Sequence, residues 1–333
     1  VAEECRAVRE SCGLIEISNY GKFEITGPGA AEWLSKIMAC KVPAVGRIAL
    51  SPMLNDAGRL IGDFTLCRVS ADRFFVVGTY AAEVFYMRWF EQHLPPTGVT
   101  VRPCAMEYLG LSVAGPQSRA LLQKLVDDDL STTSFPFMSF AAMDVGMVPA
   151  LVGRVSFTGE MGYEMWVTSE YLRTLYDLLH ETGRAHGLRN FGGRALNSMR
   201  LEKSFGNWAR EFRPIYGPYE AGLGRFVHLD KPDFIGKAAA AAEKASGGVR
   251  KLITLAVDAK DADAIGDEPI WHGDRVVGWV TSGGFGHTVG KSIALGYVDN
   301  AVAGETHGFA VELMGERRTA VRSAGALVDP QGL

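Results

Sequence analysis

"SGGFGHTVGKSIALGYV", residues 282–298, decides how the C-terminal third of the chain is read. Its glycines, lysine and serine have the residue types of a phosphate-binding loop, which would demand a nucleotide-binding α/β domain. Such a loop reads G-x-x-x-x-G-K-[ST], with a strand before it and a helix after. Here Phe285 stands five positions before Gly290, with Gly284 and Gly286 on either side of it. The "SIALGYV" that follows Lys291 is short, β-branched and without a helical face, so it reads as a strand. The nucleotide reading fails on both counts. The stretch is instead a long hairpin connection between "RVVGWVTS" and "SIALGYV", whose glycines serve tight turns and close approach to the rest of the chain. Solvent-facing or interdomain roles suit His287 and Lys291 better than a place at a cavity mouth.

Around that hairpin, everything from Lys251 onward is short alternating strand: "LITLAVD", "RVVGWVTSG", "SIALGYV", "FAVELMG" and "RRTAVRS". This predicts a small all-β domain, a sandwich or barrel. An alanine-rich helix in "FIGKAAAAAEKASGG" precedes it, ended by two glycines, with a linker near 245–250. The first two thirds follow a different grammar. "GKFEITG" alternates like a half-buried strand and runs into Pro28-Gly29, which starts a helix with Trp33, Leu34, Ile37 and Met38 on one face. "RLIGDFTLCRVS" and "RFFVVGTY" pair around Ala71-Asp72, and "EVFYMRWFEQHL" is a helix stopped by Pro95-Pro96. "YLGLSVAGP" is a strand followed by the helix "SRALLQKLV". A strand near 148–156, "TGEMGYEMWV" and a long amphipathic helix from Ser169 to about His186, closed by Gly187, repeat the pattern. Two successive α+β units followed by a β domain are expected.

The bulk numbers narrow the function. At 333 residues, the chain is long enough for two or three domains with proper cores. A net charge of −4, with no run of lysines or arginines, argues against a nucleic-acid partner. No apolar stretch approaches the ~20 residues needed to span a bilayer. The chain opens on Val1 rather than Met, in what looks like the inside of a helix, as a processed chain or a piece of a longer one would. Five cysteines, with no C-x-x-C among them, point to reduced, buried thiols in an intracellular compartment. The seven histidines are scattered without metal-ligand spacing, and no dinucleotide fingerprint or nucleophile elbow occurs.

Two carboxylates stand out. Asp63 lies in "GRLIGDFTL", inside an otherwise apolar strand. It either faces solvent at a strand end or is desolvated, and a desolvated acid needs a cationic or hydrogen-bonding partner. Glu164, in "SFTGEMGYEMWV", follows two glycines that allow close approach of the backbone to another group. An acid there could accept two parallel N–H bonds, as a pterin or guanidine edge offers.

Taken in order, "GLIEISNYGKFEITGPGA", "SPMLNDAGRLIGDFTL", "VAGPQSR", "VSFTGEMGYEMWV", "RALNSMRLEKSFGNWAREF", "PYEAGLGRFVHLDKPDFIGK" and "VTSGGFGHTVGKSIALGYV" resemble the aminomethyltransferase family of the glycine-cleavage T-protein. They are most similar to the folate-binding C-terminal half of dimethylglycine and sarcosine dehydrogenases and oxidases. The resemblance spans about residues 5 to 325. It implies an α+β, three-domain cloverleaf with a central cavity: two ferredoxin-like α+β domains and a C-terminal barrel or jelly-roll-like domain. The first domain would comprise residues 1–47 and 137–247, the inserted second 48–136, and the barrel 248–333.

The implied chemistry is capture of a methylene or iminium group from an N-methylamine of the dimethylglycine or sarcosine type by tetrahydrofolate, giving 5,10-methylenetetrahydrofolate. Two other outcomes stay open: an intact methyl passed to N5, or a non-catalytic folate-binding scaffold. By resemblance, Asp63 is the catalytic acid, with Gly62 standing where T-proteins have a preceding aspartate. Glu164 holds the pterin's amino edge and Phe157 takes the place of an adjoining tyrosine. Leu50, Met53, Thr65 and Thr79 fall at further folate-binding positions, Thr79 where T-proteins carry asparagine. Leu196 replaces an arginine, and Asn197 replaces an aspartate whose role is structural. A flavin-dependent dehydrogenase or oxidase domain or subunit is the implied partner. The implied location is the cytoplasm, or the mitochondrial matrix for a eukaryotic source.

Overall fold

A computed structural model describes residues 1–330, so the last three residues expected in the barrel domain, 331–333, lie outside the described residues. In chain order, helix α1 (Ala2–Glu10) leads into strands β1 (Cys12–Glu16) and β2 (Tyr20–Thr26), then helix α2 (Ala30–Ile37). Strands β3 (Ile48–Leu54), β4 (Leu60–Arg68) and β5 (Arg73–Thr79) follow, then helix α3 (Glu83–His93) and strands β6 (Thr100–Pro103) and β7 (Tyr108–Ala114). Helix α4 (Ser118–Leu122) precedes β8 (Phe140–Val145), β9 (Val148–Gly153) and β10 (Gly162–Thr168). Helix α5 (Leu172–Gly183), the short strand β11 (Leu188–Asn190), α6 (Gly193–Glu202) and α7 (Lys237–Ser246) complete the first part. The remainder is β12 (Arg250–Val257), β13 (Pro269–His272), β14 (Arg275–Gly286), β15 (Lys291–Asp299), β16 (Phe309–Leu313) and β17 (Glu316–Ser323).

The strands form a six-stranded sheet in the order β11-β1-β7-β10-β9-β8, a five-stranded sheet β3-β4-β5-β2-β6, and a closed barrel β12-β15-β14-β13-β16-β17. The class is therefore α+β with a C-terminal barrel. The sheets exchange strands across the expected domain bounds. β2, placed by sequence with the first domain, pairs with β5 and β6, whereas β7, placed with the second, pairs with β1 and β10. Extended backbone pairs wherever its neighbour's register allows, so chain order alone does not assign a strand to a sheet.

Period-two alternation then sets which side chains look where. In the five-stranded sheet Phe23, Ile25, Phe64, Leu66, Phe74 and Val76 pack outward under α2 and α3, against Trp33, Leu34, Tyr86 and Phe90. In the six-stranded sheet Val113, Val152, Tyr163, Met165 and Val167 pack outward under α4 and α5, against Leu121, Leu122, Leu175 and Leu179. The inner faces meet each other, with Ile48, Cys67, Phe75 and Val77 of one sheet against Phe140, Leu151 and Trp166 of the other. The result is a helix–sheet–sheet–helix stack. All five cysteines are free and buried, and among the described residues no helix is long and apolar enough to cross a membrane.

The hairpin that opened the reading is tighter than its sequence implied. β14 runs on through Gly286 and β15 begins at Lys291, so only residues 287–290 form the turn. Gly283 and Gly284 are strand residues, and their lack of a side chain lets the strand press against its surroundings. A Cβ on Gly283 would meet Ala264 O at 2.2 Å, and one on Gly284 would meet Asn197 and Leu201 of α6 at 3.3 and 3.4 Å. Ser198 of α6 donates its hydroxyl to Phe285 O (2.8 Å) and accepts from His287 N (3.1 Å). Lys291 is exposed and His287 partly so.

Candidate functional site

The apolar packing between the sheets does not continue to the end of the strands. Along β4 the inward positions read Cys67, Thr65, Asp63, and along β10 they read Trp166, Glu164. Each strand thus turns from apolar to polar within one or two steps on the same face. Thr65 pairs with Leu50 and with Val77, and Asp63 pairs with Pro52, so Leu50, Asp63 and Thr65 share the inner face. Thr79 lies on β5, opposite Tyr20 of β2. Glu164 sits between Ser112 and Gly153 in the facing sheet.

The two acids are only partly accessible, and burial dominates their chemistry. Loss of solvation pushes the Asp63 carboxyl up to about 6, its own backbone N–H pulling it down and the nearby Glu211 charge pushing it further up. Burial alone pushes Glu164 up to about 7. No hydrogen bond or ion pair joins Glu164 to another described side chain. Burying an acid without a partner is costly, and such groups concentrate where a ligand supplies the missing donor. Burial first, and then the charge of Glu164, raise the thiol of Cys67 in the facing sheet.

Three further groups close the site, and none was singled out from the sequence. Tyr20 is held protonated first by burial and then by the charges of Glu164 and Asp63, with Arg200 opposing them. The alternation of "YGKFEIT" carried the signal: Phe23 and Ile25 fill the core, which leaves Tyr20 and Lys22 for the inner face. Arg200 of α6 pairs with the fully buried Glu211 (3.5 Å) and donates to Phe205 O (2.9 Å) and Asn197 Oδ1 (3.0 Å). Asn197 thus meets Arg200 through a hydrogen bond from a neutral side chain where an aspartate would form a salt bridge. Phe205 in turn stacks on Phe157, with ring centroids 5.9 Å apart and planes at 24°.

Met53 departs from its expected folate-binding place. It is one step out of phase with Leu50, pairs with Gly62 and is fully buried in the outward core under α2 and α3. Gly62 is itself filled over: a Cβ there would meet the Tyr86 ring at 2.7 Å and Phe64 at 2.8 Å. Asp63 is accordingly the single acid at this point of β4.

Against this geometry, the glycine-cleavage T-protein N-terminal domain (GCVT) matches residues 1–231 and the T-protein C-terminal barrel domain matches residues 250–329. An aminomethyltransferase of Desulfitobacterium hafniense is 30% identical over 92% of this chain and 84% of its own length. The mitochondrial dimethylglycine dehydrogenase of Mus musculus is 35% identical over 99% of this chain, yet this chain spans only 39% of that relative's length. Among solved structures, the glycine cleavage system aminomethyltransferase T of Bartonella henselae superposes with a TM-score of 0.87 over 99% of this chain and 90% of its own, at 24% identity, a likeness of fold. The fold, the matched domains and the relatives agree: the chain belongs to the glycine-cleavage T-protein family of aminomethyltransferases.

Proposed function

We propose that the chain is a tetrahydrofolate-dependent one-carbon transferase that captures the methylene group of an N-methylamine of the dimethylglycine or sarcosine type. The observation that supports this best is Glu164, a carboxylate enclosed between two sheets, partly accessible and without a donor of its own. A pterin edge presents two adjacent N–H groups, which a carboxylate accepts side by side. The stacked Phe157 and Phe205 offer a flat apolar wall, and Leu50, Thr65 and Thr79 lie on or beside the inner face of the opposite sheet. Tetrahydrofolate would supply the nucleophilic nitrogens.

Asp63 is the catalytic residue of this reading. The incoming one-carbon unit is a cation and the attacking nitrogen must shed a proton, so a single acid that can hold either proton or counter-charge serves both needs. Its carboxyl, pushed up to about 6, changes protonation near neutral pH, where such a group works best. Release of the methylene group from the amine requires prior oxidation, and a flavin-dependent dehydrogenase or oxidase domain or subunit is the proposed source.

Isothermal titration with tetrahydrofolate tests the reading. Binding in the micromolar range is expected, weakened about 100-fold by Glu164→Ala, as removal of two charge-assisted hydrogen bonds would produce. No heat of binding at high micromolar ligand would sink it.

A further inference from the structure

Helix α6 ends in a backbone conformation that its sequence does not favour. Phe205 N donates to Arg200 O (2.9 Å) and Ser204 N donates to Leu201 O (3.0 Å), the paired bonds of a Schellman cap. Such a cap holds the residue after the C-cap in the left-handed region, where glycine is the usual choice because it has no Cβ to clash. Ser204 occupies that place instead, at φ 59°. Strain of this kind persists only where the surroundings hold it, and it points from the residue to a role for its side chain.

The Ser204 hydroxyl has a partner across the joint with the barrel: Thr254 Oγ1 donates to Ser204 Oγ at 2.7 Å. Thr254 stands in the middle of β12, paired with Leu295 of β15 and Ser323 of β17. Its neighbours Ile253 and Leu255 fill the barrel core, which turns Thr254 outward toward α6. The donor therefore belongs to a strand fixed along both edges. Leu201 of α6 packs with Ile293 and Leu295 of β15, so apolar contact closes the joint around the hydrogen bond. On the other side of Ser204 comes Phe205, whose ring stacks on Phe157 of the loop between β9 and β10. Both rings are half-buried, and the Phe205 carbonyl is held by buried Arg200 at 2.9 Å. Ser204 is thus the one residue between the barrel's donor and the ring.

We propose that Ser204 and Thr254 are positioning residues for the folate wall: through this hydrogen bond the barrel fixes the strained turn that aims the Phe205 ring. The inference rests on the one-carbon-transfer reading, which takes the Phe157–Phe205 pair as the flat wall for the pterin. It gives the barrel a part in ligand binding that is transmitted through the end of α6.

Three variants of the full chain test this. Thr254→Val keeps the shape and removes the donor, Thr254→Ser keeps the donor, and Ser204→Gly removes the acceptor and relieves the left-handed strain. Calorimetric titration with tetrahydrofolate should show binding about fivefold weaker for Thr254→Val and Ser204→Gly, the yield of one net hydrogen bond, and unchanged for Thr254→Ser. The double variant of Thr254→Val and Ser204→Gly should bind no worse than either single one, because both cut the same link. Ser204→Gly should meanwhile melt within about 2 °C of wild type, relief of strain offsetting the lost bond, so that its loss of affinity is not a loss of fold. In the ligand-free chain, NOEs between the Phe157 and Phe205 rings should fade in Thr254→Val and Ser204→Gly and stay in Thr254→Ser. Either wild-type affinity or an intact ring contact in Thr254→Val, or an equal loss of affinity in Thr254→Ser, overturns the proposal. Failure of the wild-type chain to bind tetrahydrofolate would instead sink the functional reading, and the ring contact would still decide whether the barrel aims Phe205.

Discussion

Glu202 and Glu164 are the same residue type, both taken out of bulk water, and the fold treats them in opposite ways. Glu202, at the end of α6, is saturated. Its Oε1 accepts from Thr288 N (2.6 Å) and Val289 N (3.2 Å), and its Oε2 pairs with Arg9 at 2.9 Å. One carboxylate thus ties α1, α6 and the turn of the barrel hairpin together. Glu164 has neither cation nor donor, and burial pushes its carboxyl up to about 7. Burial therefore does not by itself mark a functional acid; the count of donors around it does. The saturated acid is a strut, and the unsatisfied one is the acid proposed above to accept a ligand's N–H groups.

Breaking the strut should have the largest effect. Glu202→Ala leaves buried Arg9 with Glu160 as its remaining ionic partner among the described residues, besides the carbonyls of Thr158 and Met199, and removes the acceptor for two amides of the barrel turn. A loss of about 3 kcal/mol is expected, the lower end for a broken buried pair because Glu160 remains. Chemical denaturation measures it, and a variant within 0.5 kcal/mol of wild type, the ~±0.5 kcal/mol range of a neutral surface change, would show that the joint is held elsewhere.

How far the sequence showed this contrast depends on the residue. The strands and helices were legible because their hydrophobic periods are clean, as in "GKFEITG" and the helix over 172–183. Glu164 was legible through its glycines and Asp63 through its apolar neighbours. Met53 was misplaced because resemblance gives position, whereas strand phase gives direction, and Met53 is odd where Leu50 and Pro52 are even. The exchange of β2 and β7 between the sheets was hidden, since pairing is a long-range property. Arg200 and Phe205 were hidden too: their roles exist only once α6 lies against β14 and the loop after it folds back. The length of the hairpin turn was misjudged because a glycine-rich strand carries no strand-like composition.

The second prediction sharpens the division between the two acids whose carboxyls burial pushes up. Asp63→Asn keeps the shape of the side chain and removes its ability to take a proton or oppose a cation. Methylene transfer to tetrahydrofolate should fall by about 10²- to 10³-fold, the usual yield of a positioned acid or base, while tetrahydrofolate affinity stays within about threefold. Parallel measurement of transfer rate and calorimetric binding separates the two quantities. An equal loss in both would mean that Asp63 holds the pterin as well. Identifying the product as 5-methyl- rather than 5,10-methylenetetrahydrofolate would move the reaction to methyl transfer with the same two acids.

The smallest expected effect lies in stability against pH, and there the two kinds of acid differ in sign. Glu24 is a satisfied acid: burial raises its carboxyl, but hydrogen bonds from Arg102 and Arg73 outweigh this and hold it below 4.5. Such a group stabilises the fold above its unfolded pKa, and the contribution is lost as pH falls through the folded value. Glu164 is raised from 4.5 to about 7, so the folded chain keeps a proton that the unfolded chain gives up. Its contribution is full below 4.5 and drains away as pH rises from 4.5 through about 7, with Asp63 acting likewise from 3.8 to about 6. Between pH 4.5 and 7.5 the ligand-free chain should lose about 1–3 kcal/mol, the partial accessibility of both acids keeping the figure modest. Glu164→Gln, neutral throughout, should flatten most of that slope in a series of thermal or urea unfolding curves, whereas Glu24→Gln should leave it in place. A slope unchanged by Glu164→Gln would mean that the carboxylate has donors after all, and the distinction between saturated and unsatisfied acid would fail at its central residue.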